Sequence, residues 1–291
     1  MNSHVEHLAA RADLWGISDA AYPVFQWTAL LDPVLWPDLE RLPGWEKAEW
    51  AFLYTQSVSA DLVPALPRCV RLQPETLLAE TILNNLEARG ILIRTAMTSE
   101  ASVLPALLVG LSPNTHAILP DGESVWFRFY DATILNDYLR VIGDAQKAAL
   151  FGTHVESFWM AAPEQGQYRY IPRPSAMRPP KRPPHAIHVS AEQWEAMGEM
   201  RFQRFLDELT SEVASLTADA APLREQVQDS ANQAELMGFL KLDQIAAFVK
   251  ADARCHWRLL QTLQANPASL RQLPESEKLA RITMLAAIAA E

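Results

Sequence analysis

The sequence predicts an α+β protein with an N-terminal mixed β-sheet lobe flanked by helices, a Pro-rich linker and a C-terminal all-helical lobe. Three observations carry this. Residues 1–171 alternate short strand-like and helix-like segments, the pattern of a sheet covered by helices. Residues 172–184 read PRPSAMRPPKRPP, in which six of thirteen residues are proline. Proline fixes φ and lacks an N–H, so this stretch is neither helix nor central strand. Residues 190–291 hold no convincing strand and are rich in Ala, Leu, Gln and Glu, which are helix formers. The expected division is a lobe at 1–171, a basic linker at 172–189 and a helical lobe at 190–291.

In the first lobe, EWAFLYT (49–55) and RCVRL (68–72) have the β-branched and aromatic content of strands. Thr76 to Arg89 reads as a helix. Leu78, Ile82 and Leu86 recur every four residues, and Gly90 stands where a C-cap glycine belongs. ILIRTAM (91–97) reads as a buried strand. Ser99 or Ser102 caps a helix running to about Leu111, with Pro105 in its first turn. HAILP (116–120) and ESVWFRFYD (123–131) flank Asp121-Gly122, a dipeptide suited to a tight hairpin because the turn needs positive φ. Alternation along the second strand puts Trp126, Arg128 and Tyr130 on one face and Phe127 and Phe129 on the other. Both faces are bulky, which predicts a central, covered strand. Arg128 then needs a partner, because an unpaired buried charge is expensive; Asp131, Asp137 or a carboxylate elsewhere would serve. Ala132 to Val141 and Asp144 to Phe151 read as short helices, the second ended by Gly152. HVESFWMAA (154–162) and QYRYIP (167–172) form a last hairpin.

The linker carries four basic residues (Arg173, Arg178, Lys181, Arg182) and no acidic one. It is either a stiff, polyproline-like spacer or a docking strap for an acidic or PxxP-reading partner. Beyond it, Ser190 and Gln193 fit a capping box. The helix that follows places Trp194, Met197, Phe205, Leu206, Leu209, Val213 and Leu216 on one face. Ala234 to Phe239, Leu242 to Lys250 and Ala251 to Leu263 continue as helices. Asn266-Pro267 breaks the chain, and Glu275 to Ala290 closes a bundle of four or five helices.

Composition narrows the function. The 291 residues are 49% hydrophobic and carry a net charge of −10. A chain this acidic is a poor general ligand for nucleic acid or an anionic membrane surface, so neither is an expected partner. Cys69 and Cys255 stand too far apart for a zinc pattern and provide no disulfide framework. The N-terminus has no basic region followed by an apolar run, and no apolar stretch is long enough for a membrane span, so a cytoplasmic protein is expected. No P-loop, GxSxG, HExxH or GxGxxG occurs. His185 and His188 point to opposite faces of an extended segment, and Cys255-His256 on a helix is a poor dyad. No cofactor, metal or catalytic residue is expected, and Asp19 and Asp32 take solvated or capping roles by default.

One segment is more specific. DGESVWFRFYDATILNDYLRVIGDAQKAALFG (121–152) resembles the type VI secretion adaptor, or chaperone, proteins grouped as domain of unknown function 4123. The shared features are the turn at Asp121-Gly122, the run Phe127, Arg128, Phe129, Tyr130, Asp131, a short helix, and Phe151-Gly152. Looser likenesses cover nearly the whole chain: LWGISDAAYP (14–23), Phe52-Leu53-Tyr54, Pro67 to Leu72, and AELMGFLKLDQIAAFVKADARCHW (234–257). Two positions depart from the pattern. Ala132-Thr133 stands where members carry Pro-Arg, and LLVGLS (107–112) lacks a usual Leu-Arg pair. The resemblance implies a cytoplasmic, non-enzymatic adaptor that binds a specific toxin effector and helps load it onto the VgrG spike, with the C-terminal tip of the spike a candidate contact. The alternative is an immunity-type protein that inhibits a toxin. Candidate partner-binding residues are Trp126, Arg128, Tyr130 and Asp131, with Arg178, Lys181 and Arg182 of the linker. Arg128 and Asp131 have two readings, an anchor for a partner and an ion pair closing a strand-to-helix corner, and the structural one takes precedence.

Overall fold

The computed structural model describes residues 7–10, 25–54, 58–87, 89–96, 103–161, 167–174, 186–216, 222–259 and 271–288. The chain divides into two compact units, Met1–Met197 and Gly198–Glu291. The α+β class read from the sequence is the class observed.

The first unit is built on a seven-stranded sheet. Its strands are β1 (His7–Ala10), β2 (Phe25–Leu31), β3 (Trp50–Phe52), β4 (Arg68–Leu72), β5 (Gly90–Ala96), β8 (Val155–Ala161) and β9 (Gln167–Pro172), in the order β1-β9-β8-β5-β2-β4-β3. Every pairing in it is antiparallel. The expected mixed sheet is therefore corrected for this layer. Alternation of strand and helix (β4, then α1 at Leu77–Asn85, then β5) suggested parallel neighbours. Instead β2 lies between β4 and β5, antiparallel to both. β2 itself was not foreseen: FQWTALL alternates apolar and polar residues through Ala29, yet its Gln26 and Thr28 are buried like the apolar residues beside them.

That burial has a structural reason. The sheet is covered on both sides, so its central strands alternate between two cores rather than between core and water. Leu30, Cys69, Ile91, Ile93 and Phe158 face one core. Trp27, Ala29, Leu31, Val70, Leu92 and Trp159 face the other, where Leu78, Ile82, Leu83 and Leu86 of the α1 segment pack. Thr76 caps α1 through the Ala79 N–H. Gly90 does not cap it. It opens β5, where an added Cβ would fall 2.1 Å from the Leu30 carbonyl oxygen, so glycine is needed for close backbone approach.

The first core is closed by α2 (Leu104–Leu111), α3 (Ala132–Val141) and α4 (Asp144–Phe151). Pro105 sits in the first turn of α2 as expected, with Val103 at the N-cap; Ser99 and Ser102 lie outside the described residues. A second, three-stranded sheet has the order β10-β6-β7, from β6 (His116–Ile118), β7 (Ser124–Trp126) and β10 (Ile187–His188). β6 and β7 form the expected antiparallel hairpin, and β10 joins β6 in parallel.

The second unit holds most of α5 (Ala191–Val213), with α6 (Leu223–Leu236), α7 (Leu242–Arg254) and α8 (Glu275–Ile288); the division between units falls inside α5. The Ser190–Gln193 capping box forms as expected, with reciprocal bonds of 3.0 and 3.2 Å. Leu206, Leu209 and Val213 of α5 join Val227, Ala231, Phe239, Ile245, Phe248 and Leu259 in one core. Trp194 and Leu216, expected on that face, are exposed. α6 starts eleven residues earlier than expected, and α7 runs unbroken through Lys250 and Ala251. The expected helix to Leu263 stops instead at Arg254. His256 and Trp257 take positive φ, and the Asp252 side chain accepts the Leu259 N–H at 2.8 Å, which holds the chain in a turn.

Candidate functional site

The predicted site residues of the 121–152 segment are brought together by one hairpin and one corner. Gly122 has φ +87°, and the Asp121 carboxylate accepts the Glu123 N–H at 2.9 Å, so the turn forms for the reason the dipeptide suggested. The strand that follows is shorter than expected. It ends at Trp126 and is the edge of the small sheet, not a central strand. The Phe127 N–H makes the last cross-strand bond, to the Thr115 carbonyl at 2.8 Å, and Asp131 N–H then bonds back to the Arg128 carbonyl at 2.9 Å. This coiled corner breaks the alternation. Phe127, Phe129 and Tyr130 are all buried in the first core, while Trp126 and Arg128 stay outside. Tyr130 therefore does not share an exposed face with them.

Asp131 is the N-cap of α3, accepting N–H groups of Thr133 at 2.9 Å and Ile134 at 3.3 Å. Its second oxygen stands 3.8 Å from the Arg128 guanidinium. The closer carboxylate is Asp32, whose Oδ2 takes Arg128 Nη2 in an ion pair. Asp32 follows β2, its side chain is 2% exposed, and its other oxygen accepts the Val34 N–H at 2.9 Å. The solvated or capping role expected of Asp32 is thus corrected. A carboxylate directly after an apolar strand cannot stay buried unpaired, and that was the available signal. Burial works against the Arg128 charge, but Asp32 more than offsets it, so the guanidinium holds its proton more tightly than a free one.

An aromatic floor lies beneath. The Trp126 indole, 42% exposed, stacks on Tyr54 with centroids 4.8 Å apart. His116 meets both edge-on, at 6.0 Å from Tyr54 and 6.3 Å from Trp126. The Tyr54 hydroxyl is buried beside Tyr130 and Thr115, and burial pushes its pKa up to about 12. Burial also pushes Tyr130 up. Both hydroxyls remain protonated at neutral pH. Sequence reasoning missed Tyr54, Asp32 and His116 as members of this cluster, since no local pattern ties them to residue 128. One cation against the two carboxylates Asp32 and Asp131 leaves the cluster with surplus negative charge, so it repels a partner carboxylate and suits apolar, main-chain or basic groups.

Other candidates are placed less centrally. Arg178, Lys181, Arg182, His185 and Asp19 lie outside the described residues, and His188 is on β10. Cys69 is fully buried and Cys255 half-buried, and burial raises both thiols. Among the described residues, no group of three or more His, Cys, Asp or Glu side chains is placed to hold a metal ion, and no helix is long and apolar enough to cross a membrane.

Residues 28–149 match the sequence profile of a domain of unknown function, DUF4123. The match begins inside β2 and ends inside α4. It takes in Asp32, Tyr54, Trp126, Arg128 and Asp131, while the looser likenesses at 14–23 and 234–257 fall beyond it. Comparison with curated proteins and with solved structures gives no match.

Proposed function

We propose that this protein is a non-enzymatic adaptor of the bacterial cytoplasm that binds a toxin effector and helps load it onto the VgrG spike of a type VI secretion system. The observation that carries this reading is that the DUF4123 match contains every residue of the Trp126–Arg128 surface together with the two residues that support it, Asp32 and Tyr54. The surface has the chemistry of a binding patch. An indole lies on a rigid aromatic bed beside an arginine held in place, and its two tyrosine hydroxyls keep their protons. Tryptophan is among the side chains that most often anchor protein interfaces.

The test is a pull-down of the tagged chain co-expressed with the toxin and spike proteins encoded beside it, followed by size exclusion. A stable complex is expected. Trp126→Ala should weaken it at least about tenfold, the loss typical of an anchoring tryptophan. Elution alone from every neighbour would overturn the reading. The net charge of −10 favours one second reading, an immunity-type inhibitor of a basic toxin. The two separate in cells: an inhibitor protects cells that express the toxin, whereas an adaptor changes only its delivery.

A further inference from the structure

The bonds around β7 fix the direction of each of its backbone groups. Leu119 N–H bonds the Glu123 carbonyl, and Phe127 N–H bonds the Thr115 carbonyl. In an antiparallel ladder the bonded pairs recur at every second residue, so Ala117 and Val125 form the bonded pair between them. His116–Trp126 and Ile118–Ser124 are then the non-bonded pairs. Ser124 and Trp126 therefore aim both N–H and C=O away from β6, toward the open side of the sheet. No other described residue is bonded to those groups. The two donor–acceptor sets stand about 7 Å apart, the repeat of an extended chain.

Edges of this kind are usually blunted, by shortness, by proline or by lysine. β7 is short, but the side chain displayed on its free edge is Trp126, 42% exposed and braced by Tyr54. The surroundings are acidic. Asp121 and Glu123 are exposed at the start of the strand, Asp131 stands past its end, and Arg128 is already engaged by Asp32 and Asp131. A second copy of the chain would bring the same acidic fringe against this one, which argues against self-pairing.

We propose that an extended segment of the partner polypeptide adds to β7 as a fourth strand. Its main chain bonds Ser124 and Trp126, an apolar or aromatic side chain lies on the Trp126 indole, and a lysine or arginine faces Asp121 and Glu123. This names how the cargo binds and rests on the adaptor reading. Strand addition takes affinity from main-chain bonds and selectivity from alternate side chains, which suits an adaptor that grips a segment before it folds elsewhere.

The experiment uses the full chain with the toxin and spike proteins encoded beside it. Ser124→Pro removes one outward N–H and places a ring where the incoming strand would pack, while every bond to β6 remains. It should weaken the complex about tenfold or more. Glu123→Lys should weaken it too, more at low salt than at high. In the wild-type complex, the Ser124 and Trp126 amides should exchange hydrogen markedly more slowly than in the free protein. That measurement decides the matter even if the proline variant does not fold. If a partner binds but neither amide gains protection, or if a folded Ser124→Pro binds as tightly as wild type, strand addition is wrong and the adaptor reading stands. If neither toxin nor spike binds the wild type, both fall. A shift to dimer that protects the same amides without a partner would assign the edge to a second copy and overturn the proposal.

Discussion

Removing either half of the Arg128–Asp32 pair should not cost the same. Asp32 is 2% exposed and Arg128 39%, so the pair is buried on one side only. Arg128→Ala strands a carboxylate in the core with the Val34 N–H as its remaining bond. Breaking a fully buried pair costs about 3–5 kcal/mol. Discounting for the solvent that reaches Arg128 gives about 2–3 kcal/mol here. Asp32→Asn keeps the Val34 bond and leaves a guanidinium that water and Asp131 can satisfy, so its cost is about 1 kcal/mol. For a unit of this size, 1 kcal/mol shifts Tm by about 2–4 °C. Arg128→Ala should therefore lower Tm by about 5–10 °C and Asp32→Asn by about 2–4 °C. The double variant should be more stable than Arg128→Ala alone, because the stranded charge is gone. Tryptophan fluorescence is the assay: of the nine tryptophans only Trp257 belongs to the second unit, so the signal follows the first. Equal losses from the two single variants, or a double variant worse than Arg128→Ala, would refute a structural role for the pair.

Three further outcomes follow from other parts of the molecule. Gly90→Ala should cost at least about 3 kcal/mol, read as lost soluble yield or a Tm drop near 10 °C, because the new Cβ meets backbone of the neighbouring strand. Burial raises the Asp252 carboxyl pKa, partly offset by the Leu259 N–H, so the folded state binds that proton more tightly than the unfolded chain. The stability it contributes is then full below the unfolded pKa and lost as pH rises through the raised folded value. Asp252→Asn should flatten that decline in a circular-dichroism melt of the full chain, and an unchanged slope would exonerate the carboxyl. Burial raises the Cys69 and Cys255 thiols, so Ellman's reagent at pH 8 should label the native protein at least about tenfold more slowly than the unfolded one.

Most elements that carry a local signal were legible. The Asp121-Gly122 turn, the Ser190–Gln193 box and the limits of β4, α3 and α4 each rest on a few neighbouring residues. What was missed depends on distant ones. β2 buries both its faces, the polar Gln26 and Thr28 included, and its place between β4 and β5 is decided by pairings 37 to 71 residues apart. The strand predicted through residue 131 failed because its alternation of bulky residues fits a strand and a buried coil equally well; the choice is made by Asp32, 96 residues away, which draws Arg128 out of line. The end of α7 at Arg254 goes with the Asp252 side chain reaching Leu259, a bond no propensity scale contains.

The 121–131 segment thus separates into two sets of residues. Gly122 supplies the positive φ of the turn, Phe127 and Phe129 fill the first core, Arg128 ties the corner to β2, and Asp131 starts α3. Each of these has an internal partner that explains it. Ser124 and Trp126 are only partly accounted for in this way: one turns its polar backbone outward on an open edge, and the other, though stacked on Tyr54, leaves 42% of its surface exposed at some cost to solubility. Substituting the first set should act through stability, with binding lost only as the fold is lost. Substituting the second should change binding while Tm stays within a few degrees. If Trp126→Ala and Ser124→Pro both melted like the Arg128→Ala variant, the division between the two sets would be wrong, and protection of the Ser124 and Trp126 amides in the wild-type complex would alone decide whether the partner is held at this edge.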